Sequence, residues 1–135
     1  MNIKLFAALA ASALLSACAT TPTGLQADQL QYQKWSLFSI DGVAIASDVQ
    51  SDLFIGENLK VNGKAGCNRF FGEAKLQGGQ FSAPNLATTM MACMGDSQQV
   101  ENAVLATLAS SSTVSLKEQQ LILQGNQFTL VYQLQ

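Results

Sequence analysis

The chain has 135 residues, a formal net charge of −2, 48% hydrophobic residues and no histidine. This is enough for one domain, and the cations beyond Lys4 (Lys34, Lys60, Lys64, Arg69, Lys75 and Lys117) are too few and too dispersed to form a phosphate-binding stripe, so nucleic acid is excluded as a partner. Without histidine the Ser-His and Cys-His dyads and every His-containing zinc site are excluded as well.

The N-terminal residues read as a targeting segment. Met1-Asn-Ile-Lys4 is a positive start, Leu5 to Leu15 an apolar run, and Leu15-Ser16-Ala17-Cys18 matches a lipoprotein box, in which small residues precede a cysteine. The run is too short to span a bilayer, which takes about 20 apolar residues. The expectation is therefore a signal peptide over 1–17 and lipid attachment at Cys18. Diacylglycerol on the thiol and a further acyl chain, such as palmitate, on the new amine give an anchor that one chain alone does not. Ala19 rather than Asp follows the cysteine, which favours the outer membrane facing the periplasm. Residues 18–32 (polar, with Thr-Thr-Pro-Thr-Gly) are expected to be a lipidated flexible tether, and 33–135 the folded domain.

From Lys34 onward, short apolar runs alternate with turn signals. Trp35 to Ile40 leads through Asp41-Gly42 into Val43 to Ile45. Leu53 to Ile55 and Leu59 to Val61 come next, then an Asn62-Gly63 turn and Lys64 to Asn68. Phe70 to Leu76, a Gly78-Gly79 turn and Gln80 to Ser82 form another pair. Asp96 and Gln99 suggest a capping pair, and Val100, Ala103, Val104 and Leu108 recur at helical spacing, predicting a helix over 97–109. Val114 to Leu116, Leu121 to Leu123, a Gly125-Asn126 turn and Phe128 to Leu134 complete the chain. The fold class expected is α+β and β-rich: a small curved antiparallel sheet or lipocalin-like barrel with one helix that covers or plugs it, in a single domain. Trp35, Phe54, Phe70, Phe71 and Phe81 are expected in its core.

Two cysteines remain beyond Cys18, and in an oxidising compartment they allow one intramolecular pairing, Cys67 with Cys93. A disulfide there closes a loop of about 27 residues and contributes roughly 3–4 kcal/mol in the chain-entropy model. A redox pair is the weaker reading, because no Cys-x-x-Cys motif is present. No metal site is expected from two thiols without histidine.

Gly66-Cys67-Asn68-Arg69-Phe70-Phe71-Gly72, Thr88-Thr89-Met90-Met91-Ala92-Cys93, then Glu101, together with Trp35-x-Leu37 upstream, resemble the META domain family. The resemblance runs from about Gln33 to Leu134. It implies a compact β-rich fold with one helix and a role in envelope stress, including heat response and novobiocin tolerance, and brings no catalytic activity and no cofactor.

Asn68, Arg69, Thr88, Thr89, Met90 and Met91 are the candidate interaction surface. Asn68 serves most simply by satisfying backbone groups in a turn. Arg69 is expected in a salt bridge with Glu73 or Glu101 or on the solvated surface, ahead of an anion-binding role. The methionines of Thr88 to Met94 either fill an irregular core or form an adaptable apolar patch for a protein or lipid. Glu101 has no second acid at fixed spacing, so general acid–base pairing is unsupported and an ion pair or helix-dipole role is expected. No phosphate loop is present. The reading is a non-enzymatic, lipid-anchored envelope protein, expected to be monomeric, that binds an unknown envelope component. The alternative is a binding module such as a periplasmic lysozyme or protease inhibitor, or a carrier of a small apolar ligand inside the barrel.

Overall fold

The computed structural model describes residues 24–135. The expected signal peptide, Cys18 and the first part of the expected tether lie outside the described residues. The folded chain begins earlier than expected. Ala27–Leu30 form a short helix, α1, and Leu30 is fully buried. The polar composition of this stretch concealed a single apolar anchor. Gln29 Oε1 accepts from Gln26 N at 2.8 Å to start the turn, and Tyr32 N donates to Ile55 O at 2.6 Å, setting the register of the first strand.

Eleven strands succeed it: β1 (Gln33–Ile40), β2 (Val43–Ala44), β3 (Asp52–Ile55), β4 (Lys60–Lys64), β5 (Arg69–Glu73), β6 (Lys75–Gln77), β7 (Gln80–Ser82), β8 (Ala87–Thr88), β9 (Ser112–Lys117), β10 (Gln120–Gln124) and β11 (Thr129–Leu134), with helix α2 at Gly95–Ala109. They form one antiparallel sheet in the order β6-β7-β9-β10-β11-β1-β3-β4-β5-β8, with β2 paired to β1. β5 and β6 lie towards opposite ends of that order, yet Ala74 alone separates them in the chain. The sheet must therefore curl until its ends approach, which gives an open half-barrel. The β-rich, single-domain α+β class read from the sequence is the class observed.

Two turns form as their residues dictate. Asp41 (φ 50°) and Gly42 (φ 79°) join the paired Ile40 and Val43, and Gly78 (φ 58°) and Gly79 (φ 74°) join Gln77 and Gln80. Positive φ at both central residues is what a two-residue hairpin turn needs. The Asn62-Gly63 pair does the opposite of what was expected and runs straight through β4, with Gly63 opposite both Leu53 and Phe70. A Cβ at Gly63 would collide with the Asp52 carbonyl oxygen, so this glycine serves close backbone approach and not a turn. The chain reverses later, where Ala65 N donates to Asn68 O at 2.9 Å.

The concave face holds the core. Trp35, Leu37, Phe70, Phe81, Leu121 and Tyr132 are all buried there, and Val100, Val104 and Leu108 of α2 close it at helical spacing. Phe54 is half-buried and Phe71 is exposed, contrary to the expected core placement, because Phe71 follows inward-facing Phe70 and must point outward. α2 starts two residues before the expected position, with Met94 as its N-cap. The expected Asp96–Gln99 capping pair does not form; Ser97 Oγ donates to Met94 O at 2.9 Å instead, and Asp96 lies in the first turn, where its charge suits the helix dipole.

Tyr132 Oη and Trp35 Nε1 are buried without a hydrogen-bond partner among the described residues. Burial first, and the charge of Asp52 second, raise the Tyr132 phenol above its ordinary value near 10. A raised folded-state value means that stability is intact below about pH 10 and is lost above it, where the unfolded chain ionises and the folded one resists. Tyr132→Phe is expected to stabilise the domain by up to about 1 kcal/mol at pH 7, since it removes an unpaired buried hydroxyl. It should also flatten the alkaline loss of stability; urea unfolding at pH 7 and pH 11 checks both.

Candidate functional site

The family-signature residues converge at the β4–β5 reversal, where it meets the start of α2. Cys67 and Cys93 form a disulfide with Cα atoms 5.9 Å apart. Between them lies Asn68, whose side chain is buried and whose amide is fully used. Its Oδ1 accepts from Met91 N at 2.7 Å and Thr89 Oγ1 at 2.9 Å. Its Nδ2 donates to Met91 O at 3.1 Å and Glu101 Oε2 at 2.9 Å. These are bonds to residues 20 or more positions away, not the local turn bonds expected of Asn68.

Glu101 is the second member of the latch. It lies two turns into α2, is only 6% exposed, and accepts from Asn68 N at 2.5 Å and Cys67 N at 3.3 Å through Oε1. With Asn68 Nδ2 on Oε2, three N–H donors face one buried carboxylate, which is what makes its burial tolerable. Cys93 Sγ lies 3.3 Å from Oε2, but a disulfide sulfur has no proton to donate, so this is a contact only. The ion-pair and helix-dipole roles expected for Glu101 are replaced by this one. Its signal was present in the sequence: Glu101, Val104 and Leu108 share one face by spacing, and a carboxylate on an apolar stripe implies buried partners.

Gly66 allows the latch to close. A Cβ there would lie 2.5 Å from Ser97 O and 2.8 Å from Glu101 N, both backbone atoms of α2. Gly66→Ala must push the helix away and is expected to cost about 1–3 kcal/mol. Thermal unfolding of the variant measures this, and an unchanged midpoint would contradict the close approach.

Arg69 points outward from β5 and is exposed, and among the described residues only its backbone is engaged: its N donates to Thr89 Oγ1 at 3.0 Å and its O accepts from Thr89 N at 3.0 Å. With Glu101 committed to Asn68 and Cys67, the solvated-surface reading of Arg69 is the one observed. Thr88 pairs with Phe70 as part of β8. Met90, Met91 and Met94 do not enter the core; they are 94%, 59% and 84% exposed. The latch therefore fixes the backbone of a loop whose thioethers face solvent.

Elsewhere, an open groove of about 420 Å³ lies between the β1–β2 hairpin and α2, lined in part by Val43, Ile45, Val100 and Phe128. The barrel interior expected for a carried ligand is instead occupied by Phe70, Phe81 and Tyr132. Among the described residues, no three His, Cys, Asp or Glu side chains gather as a metal site, and no helix is long and apolar enough to cross a membrane.

A half-barrel of antiparallel strands, capped by one helix and latched by Cys67, Asn68, Cys93 and Glu101, defines a small single-domain class. The chain belongs to the META domain family, whose model matches residues 28–135. It is 32% identical over 134 residues to the heat shock protein HslJ of Escherichia coli (strain K12), covering 97% of this chain and 95% of that protein. Two structures solved by NMR share the fold. One is 33% identical with a TM-score of 0.72, covering 82% of this chain and 95% of its own. The other, from Burkholderia xenovorans, is 27% identical with a TM-score of 0.66, covering 87% and 93%.

Proposed function

We propose that this is a non-enzymatic, heat-shock-associated lipoprotein that supports envelope stress and novobiocin tolerance by binding an envelope component through the loop Thr88 to Met94. The observation that carries the reading is the exposure of Met90, Met91 and Met94 on a backbone clamped by Asn68 and the disulfide. Exposed apolar side chains on a fixed frame suit association, because little backbone freedom is lost on binding. The similarity to a heat shock protein over nearly the whole chain supports the stress context. In this reading lipid at Cys18 holds the domain at the outer membrane, facing the periplasm, and the latch keeps the loop presented when the cell is heated.

The test is survival under heat and novobiocin of a deletion strain carrying wild type, Cys18→Ala, or Met90, Met91 and Met94 all replaced by Ser. Wild type should restore survival and the other two should not. Full rescue by the triple serine variant would reject the loop as the binding surface, and no sensitivity on deletion would reject the stress role.

A further inference from the structure

We propose that Met90, Met91 and Met94 form a site for a soft monovalent metal ion, copper(I), which silver(I) can replace. Apart from Met1, these are the only methionines in the chain. Met is a common filler of irregular cores, yet this core is built from Leu, Val, Ile and aromatic side chains and uses none of them. All three thioethers are instead exposed within five consecutive residues, at 94%, 59% and 84%.

The frame beneath them is fixed at three points. Met91 is held through both backbone groups, its N donating to Asn68 Oδ1 at 2.7 Å and its O accepting from Asn68 Nδ2 at 3.1 Å. Cys93 is tied by the disulfide, and Met94 is the N-cap of α2. The backbone is thus set beneath three long, flexible thioether side chains that lie exposed within five residues. Thioether sulfur is a soft, uncharged ligand that favours Cu(I) over hard cations such as Mg²⁺ and Ca²⁺. No other soft donor competes in the domain, because Cys67 and Cys93 are bonded to each other and histidine is absent. Asp96, exposed in the first turn of α2, offsets the positive helix end that would otherwise oppose a cation there. Binding forms metal–sulfur contacts only, and no electron is transferred.

The inference shares the exposed loop with the proposed binding role but does not depend on the stress role. Its test is titration of the full chain carrying Cys18→Ala, which removes the remaining thiol, purified in detergent, with silver nitrate. Native mass spectrometry should show one silver per chain with the disulfide intact, and the methyl resonances of Met90, Met91 and Met94 should shift together and saturate at one equivalent. Copper(I), kept reduced with ascorbate, should shift the same three resonances, and zinc should shift none of them. Replacing all three residues by Leu keeps the surface apolar and should abolish silver binding, while each single Leu variant should weaken it. No saturation at one equivalent, unchanged binding in the triple Leu variant, or binding that appears only after reduction of the disulfide would overturn the site. A triple Leu variant that loses silver but still restores survival under stress supports the site and separates it from the stress role.

Discussion

Asn68→Ala is expected to destabilise the domain by about 3–4 kcal/mol, the largest effect of any single side-chain truncation in the latch. The substitution removes the acceptor for Met91 N and Thr89 Oγ1 and the donor to Met91 O and Glu101 Oε2. It leaves a buried carboxylate with one oxygen short of a partner, and a desolvated charge costs more than the lost bond contributed. For a domain of this size the loss lowers the melting temperature by roughly 12 °C or more. Asn68→Asp is expected to be worse at neutral pH, because a second carboxylate replaces the amide beside Glu101. Thr89→Val is the mild control: it removes one hydroxyl bridging Asn68 Oδ1 and Arg69 N and should cost about 1 kcal/mol. Urea unfolding of the three variants at pH 7 gives these numbers, and a loss below about 1 kcal/mol for Asn68→Ala would remove the latch from the account of stability.

Replacing Cys67 and Cys93 together by Ser is expected to cost about 3–4 kcal/mol, since the bond closes a loop between residues 26 positions apart. The two cysteines also border the Glu101 carboxylate, and this makes the choice of replacement informative. Ser at position 93 brings a hydroxyl that can donate to Glu101 Oε2 where the disulfide sulfur could only touch it. The Ser pair should therefore be more stable than a pair with Ala at position 93. The combined loss of Asn68 and the disulfide should fall short of the sum of the separate losses, because both hold the same loop. Additive losses would mean that the network and the bond stabilise different parts of the domain.

Both results bear on the loop that the latch presents. Asn68, Glu101 and the disulfide hold the backbone beneath the exposed Met90, Met91 and Met94. A variant that frees the loop without unfolding the domain should weaken any binding at the methionines, by restoring the backbone entropy that the latch removes beforehand.

The parts of the fold legible in the sequence are those set by short-range interactions. Asp41-Gly42 and Gly78-Gly79 specify their hairpin turns by themselves, because the requirement for positive φ is met within the turn. The spacing of Val100, Val104 and Leu108 specifies α2 for the same local reason, and the many short alternating runs specify a curved antiparallel sheet. Asn62-Gly63 carries an equally strong local turn signal, yet pairing with β3 and β5 on either side overrode it. Leu30 became a core residue, Phe71 and the methionines surface residues, and Glu101 a buried carboxylate through contacts made only after the sheet had curled. Local backbone preference and hydrophobic period are properties of neighbouring residues, so the sequence by itself determined the turns, the helix and the class of fold. Burial and the satisfaction of polar groups belong to elements that meet from 23 to 34 positions apart, as Asn68 meets Met91 and Cys67 meets Glu101, so only the tertiary structure decided where the site lies and which of its residues face the solvent.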